Sequence, residues 1–191
     1  MSSTSLSTIQ SMLHKLVSEY NQAMDSGYQG PIRGKLADLR RGLSKATEAK
    51  AWCHIVPYCN VTDSREKAIA LVLAAGLATH LNHDVSPHLL TSDSYGNLGE
   101  SMRKIALEGG SDANHALATF RSRFERLLTC ATAVHVCELL PGILKTAAVK
   151  GVPVNYCCLA KDLWYWNERT KLSWAASFWK SAEKITEDLA T

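Results

Sequence analysis

Cysteine and histidine are the first side chains to weigh, because thiolates and imidazoles bind metals and attack electrophiles. The 191-residue chain carries six cysteines, Cys53, Cys59, Cys130, Cys137 and the adjacent Cys157 and Cys158, and seven histidines. Cys53-His54 with Cys59, and Cys130 with His135 and Cys137, are the groupings that invite a metal. Neither has the paired short spacing of a structural zinc site, and no C-x-x-C occurs. Adjacent cysteines bridge only through a strained ring, so all six are expected as reduced thiols of a cytoplasmic protein. Cys130 and Cys137, at i and i+7, read as buried thiols on one apolar helix face. His80, His83 and His88 fall in a polar loop. Carboxylates such as Asp162 and Glu168 have no supporting nucleophile and read as surface helix residues. Phosphate-loop, nucleotide-fingerprint, nucleophile-elbow and H-E-x-x-H patterns are absent. No catalytic residue, metal or cofactor is expected, and stoichiometric zinc in the purified protein would be needed to revive an enzyme reading.

Arginine is the other chemistry-bearing residue. The formal charge of the chain is only +3, but residues 33–50 hold Arg33, Lys35, Arg40, Arg41, Lys45 and Lys50 against Asp38 and Glu48, a local surplus of four. If this stretch is helical, Leu36, Leu39 and Leu43 define its buried side, and Arg33, Arg40, Arg41 and Lys45 fall mostly on the opposite side. Arg121, Arg123 and Arg126 form a second cluster, interleaved with Phe120, Phe124, Leu127 and Leu128; Arg123 and Arg126 project together at i and i+3. Arg103 and Lys104 lie on the preceding element. Such faces suit phosphate backbones, because each neutralised phosphate releases counterions and the guanidinium fork matches its geometry. A solvated helix face would carry the same residues.

These side chains are positioned by helices. Apolar residues recur at helical spacing and alternating strand patterns are nearly absent. Leu13, Leu16 and Tyr20 form one stripe, and Gly30-Pro31 separates it from the helix of Leu36, Leu39 and Leu43. Trp52 to Cys59 is a short aromatic segment broken at Pro57. Asp63 or Thr62 can cap a helix with Glu66 reaching back, and the run from Ile69 to Ala78 is apolar nearly all round, as the centre of a bundle requires. Residues 80–96 are polar and are expected to link an N-terminal half, 1–79, to a C-terminal half, 97–191. Asn97 caps a helix to Leu107, and further helices are expected at 112–129, 132–148, 155–167 and 170–189. The expected fold is all-α, about eight helices in two small bundle-like halves. Trp164, Trp166, Trp174 and Trp179 lie within sixteen positions; at this spacing they suit a core, and a base-stacking platform is the other reading.

Composition agrees: 46% hydrophobic and 20% charged residues exclude wholesale disorder, and no run reaches the ~18 apolar residues of a membrane span. Met1 to Ser7 lacks the basic start of a secretory signal, which again points to the cytoplasm and to no membrane partner.

Four segments in order carry a resemblance: "LADLRRGL" (Leu36–Leu43), "NLGESMRKI" (Asn97–Ile105), "RSRFERLL" (Arg121–Leu128) and "VPVNYCCLAKDLWYWNERTKLSWAASFW" (Val152–Trp179). Over roughly residues 10–180 the chain resembles the CasB family, the small subunit of the type I-E CRISPR interference complex, Cascade. The resemblance implies an all-helical, non-catalytic subunit, present as two copies against the backbone and large subunits. It also implies basic surfaces that hold the guide RNA–target DNA duplex and the displaced DNA strand, stabilising the R-loop in antiviral defence. Matched onto these motifs, the nucleic-acid-binding residues are Arg40, Arg41, Arg65, Arg123, Arg126, Arg169 and Lys171; Arg33, Lys45, Arg103 and Arg121 join them from the charge pattern. Glu100 stands where a basic or small residue is more usual, and Pro141 and Gly142 where further arginines would be expected. A stand-alone helical DNA-binding regulator is the alternative, which sequence preference in DNA binding would reveal.

Overall fold

The computed structural model describes residues 3–83, 85–92, 96–108 and 113–180. These form nine α-helices and no strand: α1 (Ser3–Ser26), α2 (Gly30–Arg40), α3 (Ala49–Ile55), α4 (Ser64–His80), α5 (Leu98–Leu107), α6 (Ala113–Leu128), α7 (Ala133–Val149), α8 (Tyr156–Trp164) and α9 (Glu168–Phe178). The fold is all-α as expected, and α3 is the helix that periodicity did not mark.

Asparagine and aspartate place most of the starts. Asp63 accepts from the Arg65 and Glu66 amides (2.8 and 3.0 Å), and Asn97, Asn155 and Asn167 accept from the third residue of α5, α8 and α9. Each side chain satisfies a backbone donor that the helix itself cannot. Glu66 does reach back, but to the Asn60 amide (2.9 Å). The Asn167 cap starts α9 at Glu168, two residues before the expected position, and α8 stops at Trp164. The expected continuation of the last helix through 181–189 lies outside the described residues.

α4 is the axis. Every residue from Ile69 to His80 is buried. α4 packs chiefly on α7 and α2, α1 lies against α8 and α4, and α5 joins α6 and α9. The buried apolar side chains form one cluster that runs from Leu6 to Phe178. Trp174, Tyr156, Phe124 and Phe178 are its largest fully buried members, and Trp164 belongs to it as well. Trp166 is half-buried and donates from Nε1 to the Cys130 carbonyl (3.0 Å), whereas Trp179 at the end of α9 keeps 44% of its surface exposed.

Four expectations need correction. His80 is the fully buried last residue of α4 and not part of a polar loop. Its ring meets the Val152 carbonyl through Nε2 (3.1 Å), and its Nδ1 lies 2.7 Å from the Tyr156 hydroxyl and 3.2 Å from the Gly76 carbonyl. Cys130 lies ahead of α7, whose cap is Thr132, so only Cys137 is on the buried helix face. Asp162 is half-buried, because the Trp174 indole donates to its Oδ2 at 2.6 Å. The α2 helix ends at Arg40, tightens into a 3-10 turn over Arg41–Leu43, and opens to extended backbone at Ser44. The cause is close packing: a Cβ on Gly42 would sit 2.7 Å from Leu71 Cδ1 of α4. Lys45 therefore leaves the helical face shared by Arg33 and Arg40.

Candidate nucleic-acid interface

The basic residues divide into three groups by what holds them. Arg65 and Arg103 serve the fold. The Arg65 guanidinium donates to the Trp164 carbonyl at the end of α8 and lies over the Trp164 ring, 5.2 Å from its centroid. Arg103 donates to the Phe178 carbonyl at the end of α9 (3.0 Å). Both place positive charge where a helix presents unpaired carbonyls and the negative end of its dipole.

The second group is partnered, and all of it but the half-buried Lys171 is exposed. Arg33 bonds Gln29 (2.5 Å), Arg41 pairs with Asp38 (2.6 Å), and Lys45 reaches Glu138 on α7 (3.6 Å). Arg121 pairs with Glu125 (2.6 Å), and Lys171 pairs with Glu168 (2.9 Å) while lying 5.8 Å from the Trp166 ring centre. Lys45 and Glu138 both line a cleft of about 710 Å³ between the turn after α2, α4 and α7.

The third group is Arg40, Arg123, Arg126 and Arg169, which pair with no carboxylate among the described residues. Arg169 is exposed in the first turn of α9. Arg123 and Arg126 are exposed on α6. Phe124 between them is fully buried and stacks on Phe178 at 4.2 Å with the rings 15° apart. This anchor turns the two arginines outward, where they line a groove of about 380 Å³ against Leu139, Gly142, Ile143 and Thr146 of α7. The α7 wall was not identified as functional from sequence. Its residues follow helical i, i+3, i+4, i+7 spacing, but that α7 faces α6 there is a tertiary fact.

Among the described residues a thiol and an imidazole meet at Cys157 Sγ and His14 Nε2, 3.4 Å apart. Burial pushes the Cys59 thiol up to about 11 and the Cys137 and Cys158 thiols up to about 12, away from the reactive thiolate. The described residues contain no group of three side chains suited to a metal ion. No helix among them is long and apolar enough to cross a membrane.

The molecule thus defines a class: an all-helical scaffold whose basic side chains brace helix ends, pair with neighbouring side chains, or, at four arginines, meet no carboxylate among the described residues. The family model for CRISPR-associated protein Cse2 matches residues 35–179, and the chain belongs to that family. The fold is shared with solved structures. A chain of a CRISPR RNA-guided surveillance complex aligns with 19% identity and a TM-score of 0.64, over 95% of this chain and 99% of the other. CasB from Thermobifida fusca aligns with 18% identity and a TM-score of 0.62, over 90% and 97%. No curated protein sequence matches the chain.

Proposed function

We propose that the protein is the non-catalytic small subunit of a type I-E Cascade complex in the cytoplasm. In this reading two copies sit against the backbone and large subunits. Their arginines grip the phosphates of the guide RNA–target DNA duplex and of the displaced strand. The exchange of a DNA duplex for an RNA–DNA duplex is nearly balanced, so contacts of this kind can tip it toward a stable R-loop. The observation that supports the reading most is the set of arginines without carboxylate partners, Arg40, Arg123 and Arg126, on a chain of the Cse2 family. Guanidinium groups free of internal partners can exchange counterions for phosphates at little internal cost.

The test is target-DNA binding by the complex assembled with its guide RNA, followed across salt concentration. Arg40→Ala with Arg41→Ala should leave assembly intact, weaken binding and flatten the salt dependence. An unchanged salt slope would remove those two residues from the interface. Random DNA that fails to compete with one preferred sequence would instead favour the stand-alone regulator.

A further inference from the structure

The seam between α1 and α8 holds a pair of side chains that the basic surfaces do not use. α8 begins at Tyr156, so Cys157 stands in its first turn, and its Sγ lies 3.4 Å from Nε2 of His14 on α1. One turn earlier on α1, Gln10 donates from Nε2 to the Cys157 carbonyl at 3.3 Å. One face of α1 thus grips a single residue of α8, by its backbone and by its thiol. The first turn of a helix presents the positive end of the dipole, which favours a thiolate over a thiol. An imidazole at this distance can take the proton that the thiol must lose.

The other five cysteines are placed differently. Burial raises the thiols of Cys59, Cys130, Cys137 and Cys158 above their ordinary value, which holds them protonated. Cys158 turns its Sγ to Asp162 Oδ2 (3.9 Å). Cys53 is exposed, with its Sγ on the Lys50 carbonyl at 3.6 Å. Cys157 is only 6% exposed, but His14 beside it is exposed. The seam therefore admits a small, uncharged electrophile and excludes a bulky one.

We propose that Cys157, with His14 as its base, is a peroxide-reactive thiol whose oxidation loosens α1 from α8. The Sγ proton passes to His14 Nε2, and the thiolate attacks one oxygen of hydrogen peroxide. A sulfur–oxygen bond forms as the oxygen–oxygen bond breaks. The departing hydroxide takes the proton back from His14 and leaves as water. Sulfur is oxidised to a sulfenic acid and the peroxide is reduced. The new oxygen has no room between a sulfur and a ring nitrogen 3.4 Å apart, so the His14 contact opens. This site stands whether or not the protein binds nucleic acid.

The test treats the reduced full chain with limiting hydrogen peroxide, traps sulfenic acid with a cyclic 1,3-diketone and locates the label by peptide mass. Cys157 should be labelled ahead of the exposed Cys53. His14→Gln, which keeps a polar side chain but takes no proton, should slow that labelling roughly a hundredfold. Imidazole added to His14→Ala should restore part of the rate, which a merely structural role would not allow. Cys158→Ser should leave the rate unchanged, since the neighbouring thiol is not the one that reacts. Trypsin cleavage after Lys15 of α1 should quicken after peroxide treatment of the native chain and stay as it was in Cys157→Ser. Should Cys157→Ser fail to fold, Cys157→Ala serves the same comparison. Labelling of Cys53 first, or equal rates with and without His14, would overturn the site. Labelling at Cys157 with cleavage at Lys15 unchanged would overturn the loosening of α1.

Discussion

The stretch from Arg33 to Lys50 and the face of α6 look alike in a list of charges, and they differ in the folded molecule. The first is the denser, yet Lys35 lies 2.5 Å from Glu19 of α1, Arg41 is on Asp38, and Lys45 reaches Glu138 of α7. Two of those three carboxylates arrive from other helices. On α6, Arg121 is matched by Glu125, but Arg123 and Arg126 stand against the uncharged wall of α7. Free charge is therefore set by tertiary packing, and counting residues in a window measures something else. The exposed pairs of the first region are each worth only ~0–1 kcal/mol. Phosphates can displace their carboxylates, but with a smaller gain than at an arginine that has no partner to lose.

The largest way to disturb this contrast is through the scaffold that presents α6. α5 joins α6 to α9, and a Cβ on Gly99 would come within 2.1 Å of the Trp174 carbonyl oxygen. Gly99→Ala is expected to cost about 1–3 kcal/mol, as overpacking does, and denaturant titration would read it. The next effect concerns the tie between α4 and the turn before α8. Burial lowers the His80 pKa from its ordinary 6.5 despite the Gly76 and Val152 carbonyls. Above pH 6.5 the ring is neutral folded and unfolded, so this part of the stability is complete. As the pH falls below 6.5 the unfolded chain takes up the proton first. Stability then drops by up to ~1.4 kcal/mol per pH unit until the lowered pKa is reached. Thermal melts of His80→Gln against the native chain between pH 7 and pH 5 should show the slope only in the native protein.

Binding comparisons sharpen the contrast itself. Arg41→Gln with Lys45→Gln removes the same formal charge as Arg123→Gln with Arg126→Gln, but should lower the salt slope for oligothymidylate by less than the ~1.4 expected at α6. Equal losses would mean that internal pairing does not matter. The smallest effect is a gain: Glu138→Gln releases Lys45, and the salt slope should steepen by at most ~0.7.

Much of this architecture is legible in the sequence. The all-apolar run of α4, the Asp63 and Asn97 caps and the inward Phe124 follow from spacing and capping chemistry alone. α3 escaped because seven residues ending two before Pro57 hold too few turns to show a period. His80 read as polar loop because its partners, Val152 and Tyr156, lie more than seventy residues away. The arginines of α6 were visible, whereas the uncharged α7 residues that line a groove with them were not, because only the fold brings the two helices to one place. Arg65 and Arg103 show the reverse, since their places in the sequence suggest phosphate contacts while their guanidinium groups close helix ends.

The most direct test of the account is to purify the tagged chain from its native host under gentle salt and to analyse what accompanies it. A subunit of a Cascade complex should bring down several stoichiometric proteins and a small RNA of uniform length. A bare protein, free of RNA and of partners under conditions that keep other large complexes whole, would contradict it.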